Sequence, residues 1–193
     1  MEDYKIIIGI LAVMLTFIAY IPYIRDIIKN KTTPHAFTWF VFGVEGAIAY
    51  ALQVYAGAGY GAWTTLVVAV LCFLIFLFSI YKKNQDIIFL DAVFLIASFF
   101  ALFLWFAVKQ PIWSVILIVI VSVLGFVPTI RKCWNNPYSE TIFLYQANFI
   151  RNGLAILALA KYNIITCLYP ATWALINLLF VIFIIKRKKY GKS

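Results

Sequence analysis

The sequence predicts an all-α membrane protein of seven transmembrane helices, built as two parallel three-helix bundles joined by a linker helix, a 3+1+3 plan. Composition is the first ground. The 193 residues are 65% hydrophobic and only 12% charged, whereas a soluble domain runs about 45–50% apolar and roughly a quarter charged. Mean hydropathy is +0.99, so lipid rather than water is the expected solvent for most of the chain. The second ground is that the apolar residues fall into seven runs near the ~20 residues that cross the hydrocarbon. The third is that the first and fifth runs end alike. A soluble enzyme, a disulfide-stapled secreted domain and a disordered chain are excluded.

The predicted spans are 6–24, 35–56, 60–81, 87–108, 112–130, 141–160 and 164–185. Glu2 and Asp3 precede the first run, which lacks a basic leader, so it is expected to span rather than to be cleaved. Breakers separate the rest: Lys31-Thr32-Thr33-Pro34, Gly57-Ala58-Gly59, Asn84-Gln85-Asp86, Gln110-Pro111 and Asn135-Asn136-Pro137. Gly57, Gly59 and Gly61 predict a tight turn. His35 opens the second span, where interfacial capping is favoured over a proton relay. Asp91 lies four residues into the fourth span, within reach of Lys82 or Lys83 near the surface. Trp105 and Trp113 flank a turn and suit an aromatic belt.

The net charge of +9 does not point to nucleic acid, because the bases sit in short gaps between spans. Lys5, Lys109 and Lys161 fall on one side. Arg25, Lys29, Lys31, Lys82, Lys83, Arg131, Lys132, Lys186, Arg187, Lys188, Lys189 and Lys192 fall on the other. This imbalance predicts an integral protein of the cell or plasma membrane, with the N-terminus outside and the C-terminus cytosolic. Cys72, Cys133 and Cys167 are dispersed and give neither a disulfide framework nor metal-ligand spacing.

An internal repeat organises the chain. Tyr20-Ile21-Pro22-Tyr23-Ile24-Arg25 and Phe126-Val127-Pro128-Thr129-Ile130-Arg131 are offset by 106 residues. The offset persists without a gap, pairing Asn30 with Asn136, Thr33 with Ser139, Trp39 with Tyr145 and Ala49 with Ala155. Residues 1–83 form the first repeat, 84–109 the linker helix and 110–193 the second repeat, all within one membrane domain. An odd unit repeated directly would come out inverted; the linker restores its direction. Pro22 and Pro128 then stand at equivalent places, as hinges or as plain helix stops.

Ionisable groups inside spans cost about 2.5–3.5 kcal/mol each on insertion scales. Glu45 and Arg151 both lie near mid-depth and are separated by the repeat offset. Equivalent positions in parallel copies predict an ion pair at the bundle centre, serving as a structural lock or as a gate. Tyr145, Asn148 and Asn152 share one side of the sixth helix beside Arg151, and Tyr169, Trp173 and Asn177 recur along the seventh. An aromatic face with amides suits the C–H surfaces and hydroxyls of a sugar; interhelical packing and hydrogen bonding is the alternative for the same residues. Trp63, Val67 and Leu71 occupy the first-repeat counterparts of Tyr169, Trp173 and Asn177, so the polar side of the site is expected from the second repeat.

The 3+1+3 plan, with proline motifs ending spans one and five, resembles the SWEET and PQ-loop transporter superfamily over nearly the whole chain. That resemblance implies alternating access of two three-helix bundles, and Trp173 and Asn177 are similar to the Trp and Asn of SWEET-type substrate sites. The expected function is transport of a small polar solute, most simply a sugar. Proton-coupled transport of an amino acid or other small metabolite is the alternative, and a non-transporting receptor or scaffold is the alternative of another class. No catalysis, cofactor or metal is expected: the spans hold no Ser-His-Asp set and no paired aspartates, and the seventh lacks a Schiff-base lysine before its basic end. The expected partners are the solute and the bilayer, and a homo-oligomer is compatible with the plan.

Overall fold

The computed structural model describes residues 3–32, 34, 36–81 and 89–190, without the side chains at 37, 90–92, 94, 95, 102, 128, 132 and 190. The expectations for His35, for Asp91 with Lys82 and Lys83, and for the ring of Pro128 therefore lie outside the described residues.

All regular structure among the described residues is helical. The seven α-helices are α1 (Asp3–Ile28), α2 (Ala36–Tyr55), α3 (Trp63–Tyr81), α4 (Phe89–Phe106), α5 (Pro111–Asn135), α6 (Ile142–Leu157) and α7 (Ile164–Tyr190). Each predicted run holds one of them. Four segments, Asp3–Ile28, Gly59–Tyr81, Pro111–Asn135 and Ile164–Lys189, are long and apolar enough to cross a membrane by length and composition. At 16 residues, α6 is shorter than the run read for it, about 24 Å at helical rise.

A plain stop at the repeat prolines is corrected. Past Pro22, α1 continues to Ile28, and α5 runs on past position 128 to Asn135. The true end of α1 is a left-handed residue, Asn30 at φ 54°, with Lys31 N–H donating to Asp26 O at 2.8 Å, the geometry that satisfies orphan carbonyls at a helix C-terminus. The glycine turn is as read: Gly57 at φ 81° closes α2, with Ala58 N–H donating to Gln53 O at 2.9 Å. At the start of α7, Asn163 Oδ1 accepts from the N–H groups of Ile165 and Thr166, a side-chain cap.

The helices are sided with small and polar groups inward. Along α1 the buried residues are Gly9, Ala12, Thr16, Ala19, Tyr20, Tyr23 and Ile27, while Ile7, Met14, Phe17 and Ile21 are exposed. A lipid-facing surface needs no polar coat, and close approach of backbones favours small interior residues.

In the packing, α3 lies against both α1 and α2, and α7 against both α5 and α6; α1 meets α6, α2 meets α5, and α4 rests on α5 and α2. One pair of ring contacts follows the 106-residue offset. Tyr20 and Trp39 make an edge-on ring pair at 6.4 Å, and their counterparts Phe126 and Tyr145 make another at 6.0 Å.

Hydrogen bonds tie the repeats together at each end of the bundle. At the basic end, Thr141 Oγ1 donates to Asp26 Oδ2 at 3.1 Å and Thr32 Oγ1 to Ser139 O at 3.3 Å. At the same end, and within the second half of the chain, Arg187 Nη2 on α7 donates to Trp134 O on α5 at 2.8 Å. At the opposite end, Ala160 N–H donates to Ala58 O at 2.9 Å, Lys5 Nζ to Leu159 O at 2.7 Å and Gln53 Nε2 to Thr166 O at 3.3 Å. The start of α1 and the end of α7 thus lie at opposite ends.

Candidate functional site

Glu45 and Arg151 are both turned inward, with 0% and 6% of their surface exposed. They do not form the predicted ion pair. Among the described residues the one pair within 4.0 Å is Arg25 with Asp26. The reason lies in the packing: α2 sits against α5 and α6 against α1, so each side chain faces its neighbour across the bundle and α2 and α6 do not pack closely on each other. The expected lock or gate built from a direct Glu45–Arg151 contact is therefore absent from this arrangement.

Glu45 is held by hydroxyls. Ser122 Oγ on α5 donates to Glu45 Oε2 at 2.6 Å, and Ser98 on α4 stands beside the same carboxyl. Oε1 is sealed and has no hydrogen-bond partner among the described residues. The sequence offered a signal for these hydroxyls, since a serine in an otherwise apolar run is out of place unless it bonds something.

Arg151 lies in the other seat. Its Nε donates to Asn148 Oδ1 at 3.2 Å, one turn back on α6, and Tyr20, Cys72 and Tyr169 lie within electrostatic reach of the guanidinium. Tyr20 also faces Asn148. Cys72 and Tyr169 lie within electrostatic reach of both Arg151 and Glu45. Neither Tyr20 nor Cys72 was singled out from the sequence, because each reads there as an ordinary member of an apolar run.

The predicted substrate residues come together in part. Asn148, Arg151 and Asn152 share the buried face of α6, and Asn152 Nδ2 donates to Asn148 O at 2.8 Å. On α7, Asn177 Nδ2 donates to Trp173 O at 2.6 Å. Each amide thus spends one donor on its own helix. Trp173 is packed edge-on among Phe42, Phe126 and Tyr169, at ring distances of 5.5, 5.9 and 6.4 Å. Tyr145 departs from the group: its ring meets Phe180 at 4.6 Å and its hydroxyl donates to Glu140 Oε2 at 3.1 Å, toward the basic end.

Glu140 also lines a cavity of about 360 Å³ at that end, with Asp26, Lys31, Thr32, Tyr138 and Lys188 among its walls. Its polar walls come from the end of α1, the α5–α6 connection and the end of α7. None of the predicted substrate residues lines it.

Comparison with family models, curated proteins and solved structures finds no match.

Proposed function

We propose that the chain is a membrane carrier of the SWEET and PQ-loop type, moving a small polar solute such as a sugar or sugar derivative by alternating access of two three-helix bundles. The observation that carries this reading is the meeting of buried polar side chains from both repeats. Tyr20 and Cys72 from the first lie within electrostatic reach of Arg151 from the second, as does Tyr169, whose ring meets Trp173. Such groups are expensive away from water and are kept where they line a pathway.

The packing supports the 3+1+3 plan: α1–α3–α2 and α5–α7–α6 have the same internal order, and α4 lies outside both. Ring pairs at equivalent positions support the duplication. Hydrogen bonds between repeats at both ends suit an occluded state, from which each end opens in turn. The bases gathered at one end support a cytosolic C-terminus and an external N-terminus.

The test is counterflow into liposomes. Purified protein preloaded with unlabelled solute should accumulate the labelled form, and Trp173→Ala with Asn177→Ala should lower that uptake by about tenfold or more, the loss expected when packed contacts to a solute are removed. A protein that binds solute and shows no counterflow is a receptor on the same scaffold, and the carrier reading then falls.

A further inference from the structure

We infer that the solute is an organic anion bearing hydroxyl groups, of the sugar-acid class, whose carboxylate sits against Arg151; this rests on the carrier reading for its transport and on the seat itself for its binding. The argument is one of unmet charge. Arg151 uses its Nε on Asn148, and among the described residues it makes no other hydrogen bond and no ion pair within 4.0 Å. A guanidinium has five donors in a planar fork, shaped for two carboxylate oxygens.

The acid that could have matched it is engaged elsewhere. Glu45 Oε2 accepts from Ser122 on α5, and no ion pair within 4.0 Å joins it to Arg151. Arg151 is also not sealed in. Its terminal nitrogens are absent from the enclosed, unpartnered atoms, which are Glu45 Oε1, Gln53 Oε1 and Arg187 Nε. An incoming carboxylate therefore has a partner with donors to spare.

The neighbours define the rest of the molecule. Asn152 and Asn177 each commit one amide hydrogen to their own helix, and an amide carries a second hydrogen and a carbonyl oxygen. Both suit hydroxyls. Tyr169 adds a phenol beside the guanidinium, and the ring of Trp173 adds an apolar wall. A neutral sugar would engage the amides and leave the arginine without an anion, whereas a sugar acid engages both.

Glucose and glucuronate differ in this respect alone, and both are to be tested on the full chain. Binding is read as thermal stabilisation in detergent at matched ionic strength, and transport as counterflow. Glucuronate should bind roughly tenfold or more tighter than glucose, the worth of one charge-assisted hydrogen-bonded contact. Arg151→Gln should abolish that preference, read as the ratio of glucuronate to glucose affinity within the same variant. Should the glutamine variant fail to fold, Arg151→Lys carries the test, since it keeps the charge and loses the fork; the ratio of glucuronate to glucose affinity should drop several-fold.

Equal or weaker binding of glucuronate overturns the inference, as does a preference that survives in Arg151→Gln. Counterflow of glucose without preference for glucuronate overturns it and leaves the carrier reading standing. Arg151-dependent glucuronate binding with no counterflow of either compound does the reverse.

Discussion

Glu45 and Arg151 occupy equivalent positions of the two repeats, yet their seats are built on different terms. Glu45 is fully enclosed and met by Ser122. Arg151 keeps a little exposure and is met by an amide from its own helix. The helices opposite them explain the difference. Ser122 on α5 has Thr16 on α1 as its repeat counterpart, but Thr16 Oγ1 donates to Ala12 O at 2.8 Å, inside its own helix. One hydroxyl reaches across to a neighbour and the other does not. Duplication sets the depth and direction of a residue; the facing helix decides what that residue can do.

The largest effect should come from inverting the enclosed seat. Glu45→Lys would place an ammonium against Ser122 with no acid nearby, and folded yield and thermal stability in detergent should fall by at least about 3 kcal/mol. Next is Ser122→Ala, which removes the 2.6 Å bond to the buried Glu45 Oε2 and should cost about 1–3 kcal/mol. The matching change Thr16→Ala should stay within about 0.5 kcal/mol, because a hydroxyl bonded back to its own turn contributes little. Equal losses at 16 and 122 would erase the distinction drawn between the repeats.

A double-mutant cycle sharpens the comparison further. Glu45→Gln combined with Arg151→Gln should show coupling below about 0.5 kcal/mol, as expected for side chains that do not touch. Coupling above about 1 kcal/mol would mean that the two seats communicate through Tyr169 and Cys72. Gly59→Ala closes the series. Its backbone is at φ 60° and a Cβ would stand 2.7 Å from that of Ala160, so a loss of roughly 1–2 kcal/mol is expected by thermal melt.

Much of this architecture was legible in the sequence. Helix number and order follow from apolar runs and breakers, and the glycine turn after α2 from Gly57 and Gly59. The buried face of α6 follows from the spacing of Tyr145, Asn148 and Asn152. Helix ends were less legible. Pro22 reads as a hinge or a stop, and six further residues of α1 stay helical past it, while α7 carries its helix through Arg187, Lys188 and Lys189.

The site was legible in its members and not in their partners. Spacing shows that Glu45 and Arg151 point inward at equal depth, yet it cannot show which helix each one meets. The cavity at the basic end is equally invisible in the letters, because Asp26, Glu140 and Lys188 lie far apart along the chain.

The bond from Ala160 N–H to Ala58 O joins two stretches that belong to different copies, and it is written entirely in peptide groups. No exchange of side chains removes it, short of a proline at position 160. Side chains on both stretches can therefore change, letter by letter, while the clasp between them survives unchanged.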